Sequence, residues 1–268
     1  MQIKETTCKT ALSPSRLPGL DYSLNPYRGC SHQCTYCYVP SILRIPHNEW
    51  QSTVTLKKNM PTILAKELKR KQPGTVGIST VTDPYQPLEK HYHLTRFCLE
   101  QLLKYDYPIS IQTKSSHILT DKRLITKFTH PEVMISIATN NDQHRQLLEP
   151  NSSPISERLK TLTQFSELGI KTSVFLGPIY PTFTLKEIPI FINQLAKCGV
   201  KEIMVDHFHL KPGIWGNLTQ SLSTEPTLHN QFKKYLTTQN EFYTYQIKNI
   251  ETQCKHNHII FKHAFPKR

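Results

Sequence analysis

The 268-residue sequence contains no apolar run approaching the roughly 20 residues needed to span a bilayer. Its start, Met1-Gln-Ile-Lys-Glu-Thr-Thr, has none of the apolar character that leads a secretory precursor. Both absences point to a chain that folds in the reducing cytoplasm with no membrane partner. There is no long low-complexity linker and no internal repeat beyond short strand–helix units, so the length suits one large domain or two small ones. Acidic residues are in the minority: 20 Asp and Glu against 33 Lys and Arg leave a net charge of +13. Lys66, Lys69, Arg70 and Lys71 group on one expected helix, and such a field attracts polyanions. A solvated helix face on a basic protein explains the same cluster, so charge alone leaves nucleic acid as one of two readings.

The seven cysteines are odd in number and mostly scattered, which argues against a disulfide framework in a chain this long. Cys98 falls at helical spacing with Leu94 and Leu102 and reads as a core thiol, as does Cys198, while Cys8 and Cys254 carry no signal. Three are different. Cys30, Cys34 and Cys37 lie in the run Asn25-Pro-Tyr-Arg-Gly-Cys-Ser-His-Gln-Cys-Thr-Tyr-Cys-Tyr38, close enough to give three thiolates to one metal centre. No fourth cysteine is near. Low-potential iron–sulfur clusters are normally held by four thiolates, so three leave one iron open to a substrate or cofactor. A zinc site completed by His32 or His47 is the alternative, although structural zinc more often uses two separated Cys-x2-Cys pairs.

Short β-branched or apolar runs recur at Tyr22–Asn25, Val76–Thr80, Ile109–Thr113, Val133–Ile137, Thr172–Leu176 and Glu202–Asp206, and each predicts a strand. Helical patterns lie between them: Leu94, Cys98 and Leu102; Leu159, Leu162 and Phe165 ending near Gly169; and Leu195 and Cys198 ending at Gly199. Pro61 suits the first turn of one helix, and Ser153-Pro154 the cap and first position of another. Alternating β and α elements imply a parallel α/β sheet; periodicity does not separate a partial barrel from an open doubly wound sheet. Polar residues fall after the strands: Thr80, Thr82 and Asp83, then Lys114, then Thr139 and Asn140, then Asp206 and His207. Such folds place active sites there, although loops are polar in any case. From about Gly213 the strand pattern fades. The organisation read from this is a lead-in over residues 1–20, a core over 21–212, and a helix-prone extension over 213–268, with Phe242, Tyr243 and Tyr245, capping the core.

The spacing Cys-x3-Cys-x2-Cys, with the aromatic Tyr36 before the third cysteine, resembles the signature of the radical S-adenosylmethionine (SAM) enzymes. Asn25-Pro-Tyr-Arg-Gly-Cys30 and Thr82-Asp-Pro-Tyr-Gln-Pro-Leu-Glu89 resemble the spore photoproduct lyase-like branch, and the likeness covers roughly residues 20 to 215. The resemblance implies a partial (β/α)6 TIM-like barrel and a [4Fe–4S] cluster on Cys30, Cys34 and Cys37. It further implies SAM chelated on the open iron, and cleavage by one electron to a 5′-deoxyadenosyl radical that abstracts hydrogen. It implies a nucleic-acid substrate and a low-potential electron donor of flavodoxin or ferredoxin type.

Carried over residue by residue, Tyr36 packs near the SAM adenine, Thr82 contacts the methionine amino end, and Asp83 orients that loop. Lys114 offsets the SAM carboxylate, Ser136 meets the ribose or methionine portion, and Arg158, in Ser156-Glu-Arg-Leu159, helps position the carboxylate. The plain alternatives are a surface lysine, a satisfied core serine and an exposed helical arginine. The chain departs from the lyases at Thr80, which stands where they carry a hydrogen-donating cysteine. A threonine O–H bond is too strong to serve that purpose, which argues against thymine-dimer lysis by that route.

Tyr38 and Tyr85 read as pocket, radical-relay or packing residues. The pairs His91/His93, His207/His209 and His256/His258 raise a second metal, and His207, at a strand end, is placed to face substrate. A peptide-modifying enzyme would carry a cysteine-rich tail, and only Cys254 lies there. The competing class is a non-catalytic protein, either an iron–sulfur carrier or a zinc-stabilised nucleic-acid-binding module.

Overall fold

All six apolar runs become strands in the computed structural model, which describes residues 1–237 and 239–264. The chain divides into two units. The first comprises Met1–Gln33 and Val39–Met134. It contains β1 (Gln2–Thr6), β2 (Leu12–Pro14), β3 (Tyr22–Leu24), β4 (Tyr27–Arg28), β5 (Thr53–Lys57), β6 (Val76–Ile78) and β7 (Ile109–Thr113). β3, β6 and β7 run parallel in that order, with β2 antiparallel against β3. Leu24, Val76, Ile78, Ile109 and Ile111 are buried, as expected where helices cover a parallel sheet. The helix Leu94–Leu103 buries Leu94, Cys98 and Leu102, the three residues its pattern singled out. Burial pushes the Cys98 thiol well above its ordinary value, in keeping with an inert core residue.

Two features of this unit differ from the sequence reading. The helix expected to carry the basic cluster spans only Met60–Glu67. The chain turns after Leu68, so Lys69, Arg70 and Lys71 leave the helix; Pro73 ahead disfavours helical backbone at its predecessor. A second, three-stranded sheet was also not expected, with β1 parallel and β4 antiparallel to the central β5. The Thr-Val-Thr-Leu-Lys alternation of β5 was its visible signal, since Val54 and Leu56 turn inward with Tyr27 and Leu94. β1 is exposed along its whole length and carries no burial pattern to read.

β8 (Pro131–Ser136) leads from the first unit into the second, which comprises Cys34–Tyr38 and Ile135–Arg268. There β9 (Lys171–Leu176), β10 (Glu202–Val205) and β11 (Ile260–His263) lie parallel, with β10 between the other two. The helices Ile155–Glu167 and Glu187–Lys197 bury Leu162 and Phe165, and Phe191, Ile192 and Leu195. The expected helical extension is helical up to His256. It then turns at His258, with φ of +55°, and returns as β11, pairing Ile260 with Glu202. Ile259-Ile260-Phe261 is a short apolar run, but the flanking histidines and lysines hid it. No helix among the described residues is long and apolar enough to cross a membrane.

Candidate active site

In the first unit, β4 delivers the chain to Gly29, whose φ is +95° and where a Cβ would lie 2.4 Å from the Thr53 carbonyl oxygen. Only glycine makes that approach without displacing β5. The half-buried thiol of Cys30 follows. Residues 25–32 are then clasped by residues 80–89. Asn25 donates to the Thr80 hydroxyl at 3.4 Å and accepts the Val81 N–H at 3.2 Å. The Tyr27 hydroxyl donates to Glu89. Gln86 accepts the Ser31 N–H at 2.8 Å and donates to the Gly29 carbonyl at 3.4 Å. His32 meets Asp83 at 3.2 Å. The two segments quoted from the sequence are thus one interlocked structure.

Asp83 organises the next strand end as well, accepting from the Thr113 hydroxyl at 2.6 Å and from the N–H of Lys114 at 2.8 Å. Burial raises its carboxyl, but His32, Thr113 and the Lys114 N–H together outweigh that and hold it down at about 2. Lys114 is therefore fixed through its backbone, with its side chain half-buried. The Thr82 hydroxyl, next to Asp83, is buried with no hydrogen-bond partner among the described residues, and so is that of Ser79, whose φ is +60°. A buried hydroxyl without a partner is costly and is expected to find one. Thr80, by contrast, already accepts from Asn25.

The second unit holds Cys34 and Cys37, both half-buried and in no disulfide, with the Cys37 N–H donating to the Cys34 carbonyl at 3.2 Å. Between them, Tyr36 is buried edge-on to Tyr180 at 5.9 Å and to Phe208 at 5.6 Å. Its hydroxyl donates to Glu149, a residue the sequence reading missed. Burial and the Glu149 charge push that hydroxyl well above its ordinary value. Arg158 pairs with the same carboxylate at 2.5 Å, with both side chains 1% exposed. Its other donors reach the Ser136 carbonyl at 2.7 Å, the Ser153 carbonyl at 2.8 Å and the Ser152 hydroxyl.

Two expected SAM contacts, Tyr36 and Arg158, therefore converge on one buried carboxylate, and a third, Ser136, is tied to Arg158 through its backbone carbonyl. Arg158 is not the exposed helical arginine of the plain alternative. Nor is it a free cation for a ligand carboxylate, because four of its contacts are to protein. The available signal was the rule that a buried arginine needs an acidic partner, but nothing in the sequence showed Arg158 to be buried.

The family model described as the Radical SAM superfamily matches residues 24–195. An uncharacterized protein of Methanocaldococcus jannaschii is 33% identical over 183 residues, 68% of this chain and 69% of that one. An uncharacterized protein of Mycobacterium tuberculosis is 29% identical over 222 residues, covering 77% of this chain and 65% of its own. The chain thus spans about two thirds of the length of these curated relatives. A Pseudomonas phage protein named radical SAM Nalpha-GlyT isomerase is 25% identical over 183 residues, 67% of this chain and 38% of that one. In fold, a spore photoproduct lyase complexed with dinucleoside spore photoproduct superposes with a TM-score of 0.71 at 13% identity, over 98% of this chain and 82% of the lyase. Streptococcus suis SuiB bound to S-adenosylmethionine reaches 0.51 at 15% identity, over 82% of this chain and 48% of SuiB.

Proposed function

Because the chain belongs to the radical SAM superfamily, enzymes that use a [4Fe–4S] cluster and SAM, we propose that Cys30, Cys34 and Cys37 hold that cluster and that the substrate is a nucleic acid. With a low-potential flavodoxin or ferredoxin as reductant, the bound cofactors supply a 5′-deoxyadenosyl radical for hydrogen abstraction. The chain's own residues bind, orient and shield. Three half-buried cysteines, none in a disulfide, match in number and spacing the donor set such a cluster takes. The observation that carries the SAM assignment is the Thr82 hydroxyl, buried and lacking a partner among the described residues, beside the clasp that shapes Cys30. It suits a polar contact from the methionine end. Lys114, tethered by Asp83, supplies the cation for the carboxylate.

Tyr36 offers its ring to the adenine while Glu149 fixes its hydroxyl. Arg158 is a positioning group that holds Glu149 and so acts through Tyr36, and the Ser136 carbonyl accepts from Arg158 and fixes its guanidinium. Residues 21–212 form the catalytic core in this reading, 213–268 cap it, and a reducing cytoplasm suits cysteines that form no disulfide. The nucleic-acid substrate is supported by the net charge of +13 and by the dinucleoside in the lyase complex. The absence of a thiol at Thr80 points away from dimer cleavage and towards another reaction on a base or sugar.

The test begins with anaerobic reconstitution with iron and sulfide, reduction in the presence of SAM, and chromatography for 5′-deoxyadenosine. Product is expected from wild type and not from Cys34→Ala; full cleavage by the variant overturns the ligand assignment. Binding to DNA and RNA oligonucleotides is expected to weaken steeply with salt. No affinity at low salt rejects the substrate class and leaves the cofactor assignment intact.

A further inference from the structure

Where β10 ends, the chain continues as Asp206-His207-Phe208-His209, and the period of two sorts these residues. Phe208 is 2% exposed and turns inward, edge-on to Tyr36 and Phe232. His207 and His209 consequently share the other side, with ring centroids 4.5 Å apart. The Asp206 backbone is pinned at both ends, its N–H donating to the Leu176 carbonyl at 3.2 Å and its carbonyl accepting from Ile179 at 2.9 Å. Gly177 makes room for its side chain, since a Cβ there would lie 2.9 Å from that of Asp206. The buried carboxylate faces both imidazoles: His209 Nε2 is 3.0 and 3.2 Å from its two oxygens, and His207 Nδ1 is 3.8 Å from one of them.

We propose that Asp206, His207 and His209 form a binding site for a first-row divalent cation, with zinc as its best-suited occupant. One ligand atom from each lies within 4.8 Å of the other two. Bonds of 2.0–2.1 Å at tetrahedral angles set ligand atoms about 3.3 Å apart. The carboxylate–imidazole separations of 3.0 to 3.8 Å straddle that value, and the remaining adjustment falls on His207, the exposed member of the three. Two imidazoles and a carboxylate form a donor set that zinc and iron(II) both accept, and three protein ligands leave a coordination position for a water or a substrate oxygen. Tyr38, next to Cys37, packs against the His209 ring at 6.3 Å, and Tyr243 against that of His207 at 5.8 Å. Both limit the directions from which that position is reached. None of the three residues is needed by the thiolate cluster.

The test uses the anaerobically reconstituted protein, incubated with zinc chloride, desalted and analysed for zinc, iron and sulfide together. Wild type is expected to retain about one zinc beside about four irons per chain, and zinc is expected to raise its melting temperature. His209→Ala and His207→Ala are expected to lose the zinc and the thermal shift while keeping their iron. A melting temperature within about 2 °C of wild type without zinc shows that the variants still fold. Wild type that retains no zinc, or a His209→Ala variant that retains all of it, overturns the site. The iron and sulfide content reports independently on the proposed function, so failure of one reading leaves the other standing.

Discussion

Glu149→Gln separates a structural ion pair from ligand binding, because the substitution keeps the side chain's shape and removes only its charge. Arg158 and Glu149 are each 1% exposed, so no solvent replaces the lost partner. An exposed pair of this kind contributes roughly 0–1 kcal/mol. Removing one member of a buried pair leaves the other charge uncompensated and costs about 3–5 kcal/mol. In a protein of this size each kcal/mol lowers the melting temperature by roughly 2–4 °C, so the variant should melt roughly 6–20 °C below wild type. The Tyr36 hydroxyl loses its charged acceptor at the same time, and SAM affinity should weaken even at a temperature where the variant is fully folded. Thermal unfolding followed by circular dichroism gives the first quantity, and a SAM titration of the reconstituted protein at 15 °C gives the second. The double variant Glu149→Leu with Arg158→Met removes both charges and should recover most of the stability but not the SAM affinity. A single variant that melts within 2 °C of wild type, or a double variant no more stable than the single one, refutes the account of the network.

Burial holds the Glu89 carboxyl up at about 7. Its raised value adds stability below its ordinary 4.5 that is lost as pH rises through 7. Wild-type melting temperature should therefore fall between pH 5 and 8, and Glu89→Gln should flatten that fall; parallel curves would count against it. Gly29→Ala sets a methyl group 2.4 Å from the Thr53 carbonyl at a φ of +95°. It should cost on the order of 1–3 kcal/mol and reduce iron incorporation, and full iron content would show that the turn does not shape the thiolate loop. Thr82→Val removes a hydroxyl that has no hydrogen-bond partner among the described residues. Stability should hold or rise while SAM affinity drops about tenfold, the loss of one hydrogen bond worth about 1.4 kcal/mol; an unchanged affinity removes Thr82 from the ligand site.

The parallel strands were legible because buried β-branched runs such as Ile109–Thr113 carry their own signal, and the helix Leu94–Leu103 because its apolar residues recur at i, i+4 and i+8. The cysteine motif was legible because thiolate spacing is a local property of the chain. What escaped was non-local. Glu149 meets Tyr36 and Arg158, which lie 113 and 9 residues from it. Asp83 was expected to orient its loop, but its bonds to His32 and the Lys114 N–H depend on strands that meet only in the fold. β11 was missed because three apolar residues among histidines and lysines give too short a run, and β1 because an exposed strand has no periodic burial at all.

The clasp on residues 25–32 spans sequence separations of 55 to 62 residues. This bears on when the metal can be loaded. Contacts of such range form late, after loop-closure entropy has been overcome. On a growing chain the thiols of Cys30, Cys34 and Cys37 emerge well before Gln86 and Glu89 exist to fix the peptide that leads to them. Maturation should consequently follow synthesis of at least the first 89 residues. Once in place, the cluster should act as a staple on the clasp, visible as slowed amide exchange at Ser31 and Val81, whose N–H groups close it.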